Sequence, residues 1–253
     1  MVRENPVRCR AWRAPAFATL PRGRVLIAII PALFVGGPSQ AEEDQGCSSL
    51  DLRTRITACS ALILAGSGAA PDFSLVFNNR GMGFAGTGQL DQAIADYDEA
   101  IQLNRNFALA YSNRGVAFQA KGDIARAIED YSKAIALAPD FSAAFNNRCY
   151  ALAESGKPEQ ALADCDKALS LKSNDSRALD SRAYVYFRLG RYDNAIRDSD
   201  GALELNPAMP TAYFVRGLAK LKLGDIANGQ ADLNQAKILD KDIVEVMSKI
   251  GAN

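Results

Sequence analysis

The chain has 253 residues, a formal net charge of zero and no histidine. Without histidine it lacks the commonest general base and metal ligand, and every Ser-His-Asp or Cys-His catalytic arrangement is excluded. Residues 1–41 carry six arginines and one glutamate, which leaves 23 basic and 28 acidic side chains, a net charge of −5, in residues 42–253. This acidic part argues against nucleic acid as a partner, because phosphate binding needs a basic face.

Residues 1–41 are predicted to be a secretory signal peptide. An arginine-rich stretch precedes the apolar run 25–35, helix-breaking residues 36–38, and small residues at Ser39 and Ala41 before a plausible cleavage site. A membrane anchor is one alternative, but this run contains Pro31 and is shorter than the roughly 20 residues that a bilayer needs. An organelle presequence is another, because the segment is rich in arginine. We therefore expect an exported chain, periplasmic or secreted, from a bacterium.

Residues 42–73 are expected to form a degenerate N-terminal cap. The segment RITACSALI at 55–63 aligns with AIADYDEAI at 93–101, which places Cys59 where Tyr97 stands in the later segment. Cys47 lies shortly before this predicted helix. We expect a disulfide between Cys47 and Cys59 to tie the cap down.

Five copies of a 34-residue unit fill residues 74–243 without insertion or deletion. Their bounds are 74–107, 108–141, 142–175, 176–209 and 210–243. Each unit has small residues at its eighth and twentieth places, a glycine at its fifteenth and an alanine at its twenty-seventh. Apolar residues recur at helical spacing on both sides of the glycine, which predicts helix, turn, helix in every unit.

The 34-residue period, the NRG segments and the AIxDYxxAI segments resemble the tetratricopeptide repeat (TPR) family. The resemblance covers residues 74–243. It implies an all-α fold, a right-handed superhelical solenoid of antiparallel helix pairs. The residue spacing of the C-terminal segment predicts that residues 244–253 form a capping helix. Family members use the concave groove of the solenoid to hold peptides or partner proteins.

Cys149 and Cys165 occupy the eighth and twenty-fourth places of the third unit, on helices predicted to be antiparallel. We expect them to form a second disulfide, because an exported chain meets an oxidising environment. Four buried free thiols are the alternative for both cysteine pairs. The sixteen-residue spacing is not that of a zinc site, and we expect neither a metal nor a cofactor.

An arginine stands at the seventh place of every unit and an aspartate at the twenty-third. These two places lie opposite each other across the turn, which predicts a ladder of ion pairs. A stripe of arginines for an acidic ligand is the alternative. The residues are Arg80, Arg114, Arg148, Arg182 and Arg216, with Asp96, Asp130, Asp164, Asp198 and Asp232.

No phosphate-binding loop is present, and GMGFAG at 81–86 lies inside a repeat helix with no strand before it. The chain is therefore predicted not to be an enzyme. We expect a scaffold or adaptor that binds a protein or peptide partner in the groove, in the cell envelope. The alternative is an accessory subunit of an envelope-polymer export or outer-membrane assembly complex.

The resemblance places the groove residues on the first helix of each unit. We expect partner contact where aromatic and arginine side chains collect, because such residues are enriched at binding hot spots. Coverage of this patch by the C-terminal segment is the alternative. The asparagines could offer amides to an extended peptide. The predicted contacts are Asn113, Asn147, Tyr150, Arg177, Tyr184, Phe187, Arg188, Phe214 and Leu218.

Overall fold

The computed structural model describes residues 45–66 and 72–245, and its described part contains helices and no strand. The predicted signal peptide, residues 1–41, lies outside the described residues, as does most of the predicted capping helix, of which a helical turn at 243–245 is described. The longer helices are α1 (Leu52–Ala65), α2 (Phe73–Gly86), α3 (Leu90–Leu103), α4 (Ala108–Ala120), α5 (Ile124–Leu137), α6 (Ser142–Glu154), α7 (Pro158–Leu171), α8 (Ser176–Arg188), α9 (Tyr192–Leu205), α10 (Pro210–Lys222) and α11 (Ile226–Leu239).

Each 34-residue unit contains two of these helices, joined by a short turn that needs glycine. Gly122, between α4 and α5, has a φ of 83°, a left-handed conformation that side chains with a Cβ rarely adopt. The glycines at the same place in the other units have φ between 71° and 87°. The glycine at the fifteenth place therefore reverses the chain after each first helix.

Consecutive helices pack against each other from α1 to α11, so the described part is an all-α solenoid of antiparallel pairs, as predicted. The first helices of neighbouring units, such as α6 and α8, also contact each other. Among the described residues, no such contact joins the second helices of neighbouring units. The first helices, α2, α4, α6, α8 and α10, therefore line the inner side of the array.

The predicted ion-pair ladder is present in all five units. In the second unit, Arg114 donates from Nε and Nη2 to the two carboxylate oxygens of Asp130, at 2.8 and 2.7 Å. The equivalent bonds in the other units measure 2.6–3.0 Å. The aspartates are buried and the arginines half-buried, so each pair joins the two helices of its unit where water screens it poorly.

Each of these arginines also reaches into the preceding unit or cap through Nη1. Arg114 contacts Asp98 at 2.5 Å, and Arg148 donates to the hydroxyl of Ser132 at 3.1 Å. The remaining contacts are Arg80 with Ser60, Arg182 with Asp166, and Arg216 with Asp200. One guanidinium therefore holds two helices of its own unit and one helix of the unit before it.

The eighth and twenty-fourth places face each other across each helix pair. At Gly115 a Cβ would lie only 2.7 Å from a ring carbon of Tyr131, so the glycine makes room for the ring. The first unit repeats this arrangement with Gly81 and Tyr97.

Cysteines replace the glycine and tyrosine in the third unit. The Cα atoms of Cys149 and Cys165 are 5.4 Å apart, and those of Cys47 and Cys59 at the N-terminal end are 4.7 Å apart. Both separations are within the range for disulfides. All four side chains are buried.

We predict that Arg114→Ala lowers the free energy of unfolding by about 3 kcal/mol, because it leaves the buried carboxylate of Asp130 without its cation. Thermal denaturation of this variant is compared with that of Arg105→Ala, which removes an exposed arginine and should change stability little. A loss of partner binding without a loss of stability would instead support the arginine stripe as a ligand site.

We predict that non-reducing peptide mapping of protein from an oxidising compartment finds Cys149 joined to Cys165. The double variant Cys149→Ala, Cys165→Ala should lose about 3 kcal/mol of stability, since the bridge closes a loop of about 15 residues. Reduced wild-type protein is the control and should unfold like the double variant. Free thiols at both positions would contradict the prediction.

Candidate functional site

The structure places the nine predicted contact residues on first helices, at three different depths. Tyr184, Phe187 and Phe214 are only 1%, 7% and 5% exposed. The others are accessible: Asn113, Asn147, Tyr150, Arg188 and Leu218 are half-buried and Arg177 is exposed.

The three buried aromatic side chains belong to the hydrophobic core of the third to fifth units. They share one cluster with Cys149, Cys165 and Ile243. The twenty-fourth place holds Cys165 in the third unit and Ser199 in the fourth, which are smaller than the tyrosines at that place in the first two units. Tyr184 and Phe187 pack in this core, where the ring centroid of Phe187 lies 5.8 Å from that of Tyr192. Ile243 belongs to the same cluster as Phe214.

A second set of groove side chains was not among the predicted partner contacts. Leu75, Met82, Leu109 and Val116 are 46%, 37%, 40% and 47% exposed. They occupy the second and ninth places of the first two units. The same two places in the third and fourth units hold Ala143, Tyr150, Arg177 and Tyr184. An apolar residue at both places was the sequence signal that could have located this stripe.

Asparagines run beside this apolar stripe at the sixth place of three consecutive units, as Asn79, Asn113 and Asn147. Asn113 donates from Nδ2 to Oδ1 of Asn78 at 2.9 Å, which links the first two units. The side-chain amide of Asn147 makes no hydrogen bond with any residue in the described part of the chain. Its amide therefore keeps a donor and an acceptor for a ligand.

An open pocket of about 400 Å³ lies on the groove side between α4 and α6, lined by Val116, Gln119, Tyr131, Asn147, Tyr150 and Glu154. The Tyr131 hydroxyl donates to Oε1 of Gln119 at 2.8 Å. Nε2 of Gln119 in turn donates to Oε2 of Glu154. Burial raises the pKa of the Glu154 carboxyl, and the bond from Gln119 offsets only part of that effect. Glu154 is thus a partly desolvated carboxylate in an aromatic pocket.

Asp180 on α8 is a second groove carboxylate with few partners. Thr211 donates its hydroxyl to Oδ2 of Asp180 at 2.5 Å, while Oδ1 is buried without a hydrogen-bond partner in the described residues. Burial raises the pKa of Asp180 from its ordinary value of 3.8 to about 6. Burial also raises the pKa of Tyr150, and the charges of Glu154 and Asp180 add to this effect.

No group of three or more metal-binding side chains occurs within residues 45–66 and 72–245. Across the same ranges, no helix combines the length and the apolar character that crossing a membrane would require.

The paired helices, the glycine turns and the 34-residue period define an α-helical repeat solenoid with an inner groove. Family models agree with this class: a model described as TPR repeat matches residues 84–122 and 183–224, and the tetratricopeptide repeat model matches residues 108–141. These matches identify tetratricopeptide repeats in residues 84–141 and 183–224 of the chain. No curated protein sequence matches it.

Solved structures share this fold at low sequence identity. A tetratricopeptide repeat protein from Parabacteroides merdae is 19% identical, with a TM-score of 0.64 over 83% of this chain and 85% of that one. MamA from Desulfovibrio magneticus is 17% identical, with a TM-score of 0.57 over 68% and 97%. YrrB, described as a TPR protein with an unusual peptide-binding site, is 21% identical, with a TM-score of 0.52 over 70% and 91%. These likenesses concern the fold alone.

We predict that wild-type stability falls by about 2 to 3 kcal/mol as the pH rises from 4 to 7. In this window the folded state holds a proton on Asp180 that the unfolded state has released, so raising the pH favours unfolding. Asp180→Asn should remove most of this fall when urea unfolding is measured across the pH range.

The matched control is Asp140→Asn, which neutralises an exposed aspartate and should leave the wild-type pH profile unchanged. An Asp180→Asn profile that still follows the wild-type curve would show that Asp180 does not titrate in this window.

Proposed function

We propose that this chain is a non-catalytic scaffold or adaptor that holds an extended segment of a protein partner in its groove. The observation that carries the proposal is the exposed apolar stripe, Leu75, Met82, Leu109 and Val116, which lies beside the row of asparagines. Single exposed apolar side chains are common on protein surfaces, but these four recur at the same two places of neighbouring first helices. A contiguous exposed set rimmed by polar groups is typical of a surface that binds a partner.

The two rows would make different contributions to binding. Covering the apolar stripe stabilises the complex by about 25 cal/mol per Å² of apolar surface removed from water. The amides of Asn79, Asn113 and Asn147 can donate to peptide carbonyls and accept from peptide N–H groups. Because the asparagines recur once per unit, they present the same group at successive steps along the groove.

The remaining predicted contacts extend this surface toward the C-terminal units. Tyr150, Arg177, Arg188 and Leu218 are accessible enough to contact a bound segment. Tyr184, Phe187 and Phe214 would contribute as the packed wall beneath them. The peptide-binding site named for YrrB is consistent with this use of the fold.

The proposed location is the cell envelope of a bacterium, after export. The two buried cysteine pairs at disulfide distance support this location, because disulfides persist in oxidising compartments and are rare in the cytosol.

A crosslinking pull-down from cells that express the full-length chain tests the proposal. The variant Leu109→Ser, Val116→Ser should recover at least about tenfold less partner than wild type, because losing 1.4 kcal/mol of apolar contact already costs that factor. Serine at Tyr184 or Phe187 is unsuitable for this test, since it would open a cavity in the core and destabilise the fold.

The matched control is Leu205→Ser, Ile238→Ser, which removes two apolar side chains that are 48% and 77% exposed on second helices. It should capture partner as wild type does. Equal capture by the groove variant and the control would contradict the groove as the binding surface. Stable co-purification with an enzyme would identify the chain as an accessory subunit.

A further inference from the structure

We propose that the pocket between α4 and α6 binds a basic side chain, lysine or arginine, of the partner segment. This inference rests on the proposed function, because it names the chemistry of the partner at one position of the same groove. It concerns the pocket formed by Gln119, Tyr131, Tyr150 and Glu154.

The first argument is the carboxylate of Glu154. Its Oε2 accepts from Gln119, but Glu154 forms no ion pair with any residue of the described part. The ladder aspartates differ from it, since each one is paired with an arginine on the facing helix. A half-buried carboxylate without a cation retains a desolvation cost that a bound ammonium or guanidinium would offset.

The second argument is the aromatic lining. Tyr131, which is buried, and Tyr150, which is half-buried, both line the pocket. A cation is attracted to the face of an accessible aromatic ring, and Tyr150 is the tyrosine of this pair that a ligand can reach. Val116 and Ala120 offer apolar contact to the methylene stem of a long basic side chain. The combination of one accessible aromatic ring, an apolar wall and one carboxylate is suited to lysine and arginine, which combine an apolar stem with a charged end.

The pocket is held in place before any ligand arrives. Tyr131 is fixed by its hydrogen bond to Gln119, and the ring of Tyr150 packs against Tyr184 with centroids 5.5 Å apart. Because these side chains are already ordered, little further conformational entropy is lost on binding.

Nearby cations of the chain are engaged elsewhere. Lys121 pairs with Asp91 and Arg148 with Asp164. Arg188 donates from Nη1 to the Tyr184 hydroxyl at 2.8 Å and to the Ala153 carbonyl at 3.3 Å. Beyond the larger effects of burial and Glu154, the charge of Asp180 also acts on Tyr150 and raises the pKa of its hydroxyl. The net charge of −5 in residues 42–253 also favours a basic segment.

The test uses a library of random linear peptides displayed on phage and selected on the immobilised full-length chain. We expect the selected peptides to share a lysine or arginine at one position. Replacing that residue by glutamine in a synthetic peptide should weaken its binding to wild type about tenfold by calorimetry, an effect typical of a partly buried charge pair.

Glu154→Gln should weaken binding of the basic peptide by about the same factor, and the two losses should not add when both changes are combined. This variant should be at least as stable as wild type, because it removes a desolvated charge, so a lost affinity cannot be ascribed to unfolding. The matched control is Glu129→Gln, which removes the same charge from an exposed site on a second helix and should bind the basic peptide as wild type does.

The proposal that this pocket binds a basic side chain would be overturned if the selected peptides share no basic residue, or if they bind Glu154→Gln as tightly as wild type. In either case the proposal that the groove binds a partner would stand. A library that yields no binding peptide, together with a full-length chain that captures no protein from cells, would overturn both proposals.

Discussion

The bidentate pair between the arginine at the seventh place and the aspartate at the twenty-third is the interaction on which the rest of the array depends. In each unit it joins the two helices at one height, and the third guanidinium nitrogen reaches back to the preceding unit or cap, as from Arg114 to Asp98. Because the aspartates are buried, a shift of one helix against the other would leave a charge without its partner. The ladder thereby fixes the positions of successive first helices, whose side chains line the groove.

The contact between the eighth and twenty-fourth places divides this groove into two parts. Where a tyrosine lies over a glycine, as at Tyr131 and Gly115, the space between the helices is filled from the second helix, and apolar groove residues such as Val116 stay exposed. In the fourth unit, where Ser199 stands at the twenty-fourth place, Tyr184 and Phe187 are buried in the core. The groove therefore has accessible apolar side chains in its first two units and buried aromatic side chains in its fourth and fifth.

Two kinds of carboxylate serve different purposes in this chain. The ladder aspartates are compensated by arginine: at Asp232 burial opposes ionisation, but the bonds from Arg216 and Lys220 prevail and lower the pKa of its carboxyl. Glu154 and Asp180 lie toward the groove, accept only from an amide and a hydroxyl, and have raised pKa values because burial dominates. The first kind stabilises the solenoid, and the second leaves negative charge near the surface where a partner is proposed to bind.

The sequence by itself determined the helix pairs, the ion-pair ladder and the cysteine neighbours Cys149 and Cys165, since each of these contacts joins residues within one 34-residue unit. At such short separations the helical period and the glycine turn decide which side chains meet. Only the tertiary structure decided which groove residues are accessible: Tyr184 is buried, whereas Leu109 is exposed. Exposure depends on how neighbouring units fill the space between their helices. A residue's place within its own unit therefore does not predict whether its side chain is exposed.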